Sequence, residues 1–327
     1  MKALLLLFIL YSFSTPLSAQ KNKKPVPVIL DTDLGPDYDD VGAVAILHAL
    51  ADKGEARPLA IMASNKNEFV APCINILNSW FGRPDLPIGA PKGAGAPSRG
   101  ATQHWPEMLV KKYPHTIKTT AEVPDAVQLY RKILAAEPDH SVTIISIGFL
   151  TNLANLLASA PDNYSGLSGR DLVSKKVTSL VSMAGRFPEG REYNIYIDST
   201  ASEKVFMHWP TPVFFSGWEV GQQIITGRQL VANENLRGPV KDVFAWCIGF
   251  SGADLNGRMS WDETAVLMGV MGARPWFGLH RGHILFNGGA DKWDDDPSAN
   301  QAYLTMTMPA EEIRAAIEAL MMHPGKQ

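Results

Sequence analysis

The stretch VILDTDLGPDYDD, residues 28–40, decides how the rest of this chain is interpreted. An apolar run at 28–30 leads directly into five aspartates, at positions 31, 33, 37, 39 and 40. Carboxylates so close together repel one another, and each loses hydration free energy when it lies near an apolar interior. Either water or a bound cation must offset that cost.

The overall composition is that of an ordinary globular protein, with 46% hydrophobic and 19% charged residues in a chain of 327. That length suits one large α/β domain or two small ones. The formal net charge of -3 does not indicate the basic surface that nucleic-acid binding needs, so nucleic acid is not an expected partner. The two cysteines, Cys73 and Cys247, are expected to be buried free thiols.

Residues 1–19 have the pattern of a secretory signal peptide. Lys2 precedes an apolar stretch at 3–13, and small residues follow up to Ala19, where we expect cleavage. The apolar stretch is too short to cross a bilayer comfortably. The mature protein is therefore expected to be secreted or periplasmic, with no membrane attachment after cleavage. We interpret residues 26–323 as a single catalytic domain.

Apolar runs and helical patterns alternate along that domain. The alternation predicts an α/β fold, with an open, mostly parallel sheet and helices on both faces. The predicted strands are 26–30, 58–63, 142–147, 177–183, 212–215, 282–287 and 303–308. The predicted helices are 40–51, 72–81, 124–136, 150–158, 199–208, 240–250, 263–272 and 310–321.

Four of the predicted strands end in segments rich in carboxylate, hydroxyl or amide side chains. These segments are 31–40, SNKN at 64–67, GFLTN at 148–152 and AGRFPEGREYN at 184–194. Ligands of open α/β sheets bind beyond the carboxyl ends of the strands, so the four segments are expected to form one site.

Three explanations of the aspartate run compete on residue pattern alone. An EF-hand-like calcium loop needs a bidentate Glu where Gly42 stands, and it follows a helix, not a strand. The haloacid-dehalogenase phosphatases also begin with a strand and Asp-x-Asp, but they lack an Asp-Asp pair so soon afterwards. A solvated acidic loop is the usual explanation for a charge run, yet apolar segments flank this one on both sides.

Four segments in order resemble the inosine-uridine preferring nucleoside hydrolases. They are ILDTDLGPDYDD at 29–40, IGFLTNLA at 147–154, MAGRFPEGREYN at 183–194 and SWDETAVL at 260–267. The resemblance covers most of the mature chain. It implies an open α/β sheet with a deep pocket at its carboxyl edge, and a small-molecule nucleoside as substrate. The sequence does not give the oligomeric state, although symmetric homo-oligomers are common for such folds.

The resemblance also implies one calcium ion in the site. Its ligands would be Asp33, Asp40, the backbone carbonyl of Thr151 and Asp262, an all-oxygen set that suits calcium. Asp31 would hydrogen-bond around these ligands. A cation in this position would stabilise the clustered charge of the opening stretch.

The same resemblance assigns roles in hydrolysis of the N-glycosidic bond. Asp33 would accept a proton from the attacking water. Met183 would pack beneath the ribose. The residues expected to hold the sugar hydroxyls are Asp39, Glu192, Asn194 and Asn65, with Asn67 as the alternative to Asn65.

Trp261 bears on which base the site accepts. Many members of the family carry a His just before the late aspartate, whereas a purine-specific branch carries a Trp that stacks on the base. Trp261 resembles that branch and predicts a purine preference; simple core packing is the alternative. Trp105 is proposed as a second wall. A sugar- or nucleoside-binding protein without efficient turnover remains the alternative function, which the missing His would permit.

Other features of the sequence have no assigned role in this chemistry. Asp37 has no clear counterpart in the family pattern. His48 is expected to be structural and His104 to lie on the surface. His280 and His283 have a spacing that suggests a metal pair, but no third ligand is evident.

Overall fold

The computed structural model describes residues 24–93, 96–250 and 252–326. The predicted signal peptide at 1–19 lies outside the described residues. No helix in the described part is long and apolar enough to cross a membrane. Cys73 and Cys247 are both buried and free, as expected.

The described chain alternates strands with helices, as the sequence predicted. The strands are β1 (Val26–Thr32), β2 (Ala56–Ala63), β3 (Ile88–Gly89), β4 (Val142–Ile147), β5 (Val177–Met183), β6 (Glu189–Gly190), β7 (Val213–Ser216), β8 (Ile225–Thr226), β9 (Arg258–Met259), β10 (Phe277–Asn287), β11 (Ala290–Asp295) and β12 (Gln301–Met306). The helices are α1 (Asp39–Asp52), α2 (Val70–Trp80), α3 (Trp105–Lys112), α4 (Ala126–Ala136), α5 (Thr151–Ala158), α6 (Gly169–Lys176), α7 (Tyr193–Ile197), α8 (Ser199–His208), α9 (Trp218–Gly221), α10 (Arg228–Ala232), α11 (Pro239–Phe250), α12 (Trp261–Met271) and α13 (Ala310–Met321).

One large sheet organises the molecule, in the order β3-β2-β1-β4-β5-β7-β12-β10-β11-β6. The strands from β3 to β12 in that order pair in parallel, and β10, β11 and β6 extend the sheet in antiparallel fashion. The fold class predicted from the sequence is thus confirmed. Because strand order reverses between β1 and β4, a crevice is expected at their carboxyl ends.

The parallel strands are buried on both faces, and their side chains alternate between two apolar cores. Val28 and Leu30 of β1 belong to the core that includes residues of α1 and α12, whereas Ile29 belongs to the core that includes residues of α4 and α5. This two-residue period explains why the sequence shows nearly continuous apolar runs for these strands. Helices therefore cover both faces and leave the strand ends accessible.

Candidate active site

A cavity of about 250 Å³ is lined by residues that follow β1 and β5 and by the first turns of α1 and α12. It therefore lies at the carboxyl edge of the sheet, where the sequence predicted a site. Six of its lining residues carry carboxyl groups: Asp33, Asp37, Asp39, Asp40, Glu192 and Asp262.

A larger cavity, of about 740 Å³, is lined by the beginnings of β1, β4 and β5 and by the end of α12. It lies at the amino edge of the sheet, and its lining is largely apolar. Its charged lining residues are Lys24 and Arg57, and no carboxyl group lines it. Size alone favours this cavity, but hydrolytic chemistry needs groups that exchange protons or bind cations, which only the smaller cavity concentrates.

Local structure places the carboxylates of the smaller cavity. Asp33 follows β1 directly, Asp39 and Asp40 begin α1, and Asp262 lies in the first turn of α12. The partial positive charge of a helix N-terminus favours carboxylates there. Gly42 lets α1 and α12 approach, because a Cβ at this position would lie 2.2 Å from the Glu263 carboxyl group.

Burial and mutual repulsion dominate the electrostatics of this group. Burial, and then the charges of Asp40 and Asp37, raise the pKa of Asp33 well above its usual value. Burial also raises the pKa of Asp262, with further contributions from Asp39, Asp40 and Asp33. For Asp40, burial and the charge of Asp39 raise the pKa to about 8. A bound cation would reverse these shifts.

Two carboxylates of this group, Asp37 and Asp39, form ion pairs with Arg258. Its guanidinium donates to the Oδ1 of Asp39 at 3.0 and 3.1 Å and forms an ion pair with Asp37 at 2.8 Å. No side-chain cation in the described part of the chain forms an ion pair with Asp33, Asp40 or Asp262. These three carboxylates are therefore the ones that lack compensation.

The uncompensated carboxylates fit a hard cation such as calcium in donor type. All three line one cavity, and each is at least 95% buried. Asp40 Oδ1 meanwhile accepts hydrogen bonds from the Thr32 hydroxyl and from Leu34 N. No group of three His, Cys, Asp or Glu side chains in residues 24–93, 96–250 and 252–326 is arranged so that it could hold a metal ion. The three carboxylates therefore match calcium in the chemistry of their donor atoms and not in an arranged coordination shell.

Behind the cavity, a buried network fixes the end of β1. Asp31 accepts hydrogen bonds from Tyr130 at 2.9 Å and Asn152 at 3.1 Å, in keeping with a supporting position. A Cβ on Gly148 would lie 2.4 Å from Asp33 N, so only glycine lets the turn after β4 pass this close. The turn therefore runs beside Asp33 before α5 begins at Thr151.

The segment after β5 forms the second side of the cavity. Glu192 caps the N-terminus of α7 and accepts from three backbone amides, those of Asn194 at 2.8 Å, Ile195 at 3.1 Å and Gly185 at 3.3 Å. Burial raises the Glu192 pKa to about 7 against these hydrogen bonds. Asn194 donates to Met183 O at 3.1 Å. Met183, Glu192 and Asn194 all line the cavity, where the sequence placed them.

Three of the predicted site residues do not line the cavity. Thr151 donates its hydroxyl to Asp198. Asn65 is buried, and its amide bonds the backbone of Asp33, Asn67 and Arg99. Trp105 is fully buried in α3 and packs in the apolar core. Asn65 therefore supports the loops around the site, and the second aromatic wall is not Trp105.

Trp218 provides that wall instead. Its ring stacks against Trp261 with the centroids 6.4 Å apart, and both rings line the cavity. Arg258 lies 4.9 Å from the Trp261 ring centroid, and Arg186 lies 4.1 Å from that of Trp218. Each indole thus contacts the other indole and one guanidinium, and Trp261 Nε1 donates to Trp218 O at 2.9 Å.

Several lining residues were not identified from the sequence: Asp37, Ile147, Arg191, Tyr193, Tyr196 and Trp218. Three of them fall within or just after the segment 183–194 that carried the resemblance, so its aromatic and basic residues were the available signal. Arg258 precedes SWDETAVL by only two positions. Its pairing with Asp39, 219 residues away, requires the fold.

The histidines have structural explanations. His48 is buried and hydrogen-bonds Asn78 at 2.9 Å, as expected of a structural residue. His104 is exposed on the surface, as expected. His280 and His283 each contact their own carboxylate, Asp295 or Asp296, and do not converge on one site.

Comparison with known proteins agrees with this geometry. The family model for inosine-uridine preferring nucleoside hydrolases matches residues 28–290. The pyrimidine-specific ribonucleoside hydrolase RihA of Klebsiella pneumoniae is 28% identical over 245 residues, which is 69% of this chain and 71% of that protein. The non-specific ribonucleoside hydrolase RihC of Klebsiella pneumoniae is 30% identical over 220 residues, which is 64% of this chain and 66% of that protein.

A solved structure shows the same fold. The purine-preferring ribonucleoside hydrolase from Gardnerella vaginalis superposes with a TM-score of 0.70 at 16% identity, covering 90% of this chain and 99% of that chain. The three proteins are named for three different base preferences, so these similarities do not indicate which base this chain prefers.

Proposed function

Because this chain belongs to the inosine-uridine preferring nucleoside hydrolase family, we propose that it hydrolyses the N-glycosidic bond of ribonucleosides and depends on calcium. The observation that carries the proposal is the cavity at the switch point between β1 and β4. It joins six carboxyl groups to a wall of two stacked indoles. Carboxylates suit the polar ribose and the indoles suit the planar base.

Asp33, Asp40 and Asp262 would hold the calcium ion. The family resemblance adds the carbonyl of Thr151, at the start of α5, although Thr151 does not line the cavity. The support is chemical, since these carboxylates are buried, close enough to raise one another's pKa, and without an internal cation. When bound, calcium supplies positive charge that ionises the carboxylates and makes water at the site more acidic.

The residues that line the cavity then have separate roles in hydrolysis. Asp33 accepts a proton from water that attacks the anomeric carbon. Asp39, Glu192 and Asn194 hold the sugar hydroxyls, and Asp39 keeps its Oδ2 free of the bonds that Arg258 makes to Oδ1. Carboxylates around the sugar stabilise the positive charge that develops as the glycosidic bond breaks. Met183 packs beneath the ribose.

For the base, we propose a preference for purines. The support is the pair of indoles, Trp218 and Trp261, because a purine offers a larger planar face to stack than a pyrimidine does. No histidine in the described part of the chain lines the cavity. Burial raises the pKa of Tyr193 to about 12, so its hydroxyl keeps a proton at neutral pH and can donate a hydrogen bond to the substrate.

The test is a panel of nucleosides incubated with purified protein in calcium-containing buffer, with free base and free ribose both quantified. Equal amounts of base and ribose without added phosphate would support hydrolysis. Asp33→Asn purified in parallel controls for contaminating enzymes. Release of no base from any nucleoside, by a folded protein, would favour the binding-protein alternative.

We also propose that the protein is exported. The support is the signal-peptide pattern at 1–19. The full chain is expressed in a host that has a secretory pathway, and the N-terminus of the purified protein is sequenced. A mature N-terminus near residue 20 is expected, and an intact Met1 in the cell extract would contradict it.

A further inference from the structure

A positive charge stands among the carboxyl groups of the cavity, and it belongs to Arg191. Among the described residues, every other charged side chain in the lining is Asp or Glu. A site that only held calcium and an uncharged sugar would have no evident use for a cation there. Arg191 therefore needs an explanation of its own.

The guanidinium of Arg191 is held by an aromatic ring. It lies 4.4 Å from the ring centroid of Tyr196, which also lines the cavity. Within residues 24–93, 96–250 and 252–326, no carboxylate forms an ion pair with it, and the residue is exposed. Stacking fixes the plane of a guanidinium while its N–H edge stays available, which suits bidentate binding of an anion.

Arg186 is the second arginine that stacks on an aromatic residue of the cavity lining, and its surroundings differ from those of Arg191. It stacks on Trp218 at 4.1 Å, but it does not line the cavity. Its charge acts on two carboxylates, Glu219 and Asp291, and opposes the rise in pKa that burial causes in both. Arg186 thus acts on the charge of two carboxylates of the protein, although neither arginine forms an ion pair in the described part of the chain.

The walls of the cavity indicate which part of a nucleoside meets Arg191. The indoles of Trp218 and Trp261 suit the base, and Asp39, beside the Asp33–Asp40–Asp262 group, suits the 2′- and 3′-hydroxyls. The remaining substituent of the ribose, at C5′, is left for the side formed by Arg191 to Tyr196. Arg99 adds positive charge on this side, near Tyr193.

We propose that Arg191 binds a phosphate group on the 5′ oxygen, so that ribonucleoside 5′-monophosphates are better substrates than unsubstituted nucleosides. This inference rests on the proposed function. In the reaction, the oxygen of water bonds to C1′, the C1′–N bond breaks with its electron pair on the base, and one proton of water ends on the base. The products are the free base and ribose 5-phosphate.

The first test compares kcat/KM for inosine and inosine 5′-monophosphate in calcium-containing buffer. Wild type should favour the nucleotide by at least about 10-fold, in the range of one charge-assisted bidentate contact. Arg191→Gln should lower that ratio about 10-fold, and Arg191→Lys should recover part of it. Arg186→Gln, the matched control, should leave the ratio within about 2-fold. A wild-type ratio of one or less would overturn the inference while leaving nucleoside hydrolysis in place.

The second test uses binding alone, so it decides the inference even if no substrate is hydrolysed. Ribose 5-phosphate and ribose are titrated by calorimetry into wild type and Arg191→Gln, with calcium present and folding checked by thermal melting. Wild type should bind ribose 5-phosphate at least about 10-fold more tightly than ribose, and the variant should lose this difference. Equal binding of the two sugars by wild type would overturn the inference.

Discussion

Helix α1 carries carboxylates at both of its ends, and the surroundings shift the pKa values of these carboxylates in opposite directions. At the C-terminal end, Asp52 accepts hydrogen bonds from Lys326 at 2.7 Å, His323 at 2.9 Å and Arg83 at 2.5 Å. Although burial acts to raise the pKa of Asp52, these three bonds hold it well below its usual value. At the N-terminal end, burial and the charge of Asp39 raise the pKa of Asp40 to about 8.

The difference separates a structural ion-pair network from a group of buried carboxylates that have no cationic partner in the described part of the chain. Asp52 accepts hydrogen bonds from three basic side chains, those of Arg83, His323 and Lys326. In the described part of the chain, no side-chain cation forms an ion pair with Asp33, Asp40 or Asp262, and Arg258 pairs with Asp37, Asp39 and Asp254. Buried carboxylates without compensation are destabilising, so their presence together in one cavity favours a function that brings in a cation.

The largest expected effect is on turnover, which should respond to substitution at the N-terminal end of α1 and not at its C-terminal end. Asp33→Asn keeps the size of the side chain but removes the proton acceptor, so turnover should fall by at least about 10²-fold. Asp52→Asn makes the same chemical change at the structural end and should leave turnover within about 2-fold. Steady-state kinetics with calcium saturating measures both. Comparable losses in the two variants would mean that the ends do not differ in function.

The next effect concerns the wall above the acidic end. Trp261→Ala removes a ring that faces the cavity but is already stacked with Trp218 and Arg258, so we expect roughly a 10-fold loss of the preference for inosine over uridine. Trp246→Ala, which removes an exposed Trp of α11 outside the cavity, is the control. If wild type favours uridine, or if Trp261→Ala leaves the ratio unchanged, Trp261 is a packing residue.

The smallest effect is at the structural end and appears in stability. Asp52→Asn weakens three charged hydrogen bonds, so the free energy of unfolding should fall by about 1–3 kcal/mol. Because the folded pKa of Asp52 is lowered, its contribution is full above the ordinary aspartate pKa of about 4 and is lost as the pH falls below it. Thermal melting of both proteins from pH 7 to pH 3 should show a gap that narrows below about pH 4. A gap that stays constant would contradict the ion-pair account.

The sequence predicted the fold because its signals are local. β4 and β5 were predicted at their observed limits, since short apolar runs of Val, Ile and Leu stand out between polar segments. The helices α3 and α6 were not predicted, because only a few of their residues are buried: Trp105, Pro106 and Leu109 in the first, and Gly169, Leu172 and Val173 in the second.

The site was predictable only in part. Asp33, Asp39, Asp40, Glu192, Asn194 and Asp262 lie in short segments whose pattern is visible in the chain, and the structure brings them together. Arg258, Trp218 and the partners of Asn65 depend on contacts between distant segments, which spacing along the chain does not reveal. Trp105 was proposed as the second wall, but it begins a helix and packs into the core, which the residues around it do not indicate.

The most direct measurement is the response of the acidic end to calcium. Protein stripped with a chelator should lose nucleoside hydrolysis and melt at a lower temperature, because a ligand that binds only the folded state stabilises it. Adding calcium should restore both properties in wild type and in Asp52→Asn. Protein that is free of metal and yet fully active, with no change in melting on addition of calcium, would contradict the account.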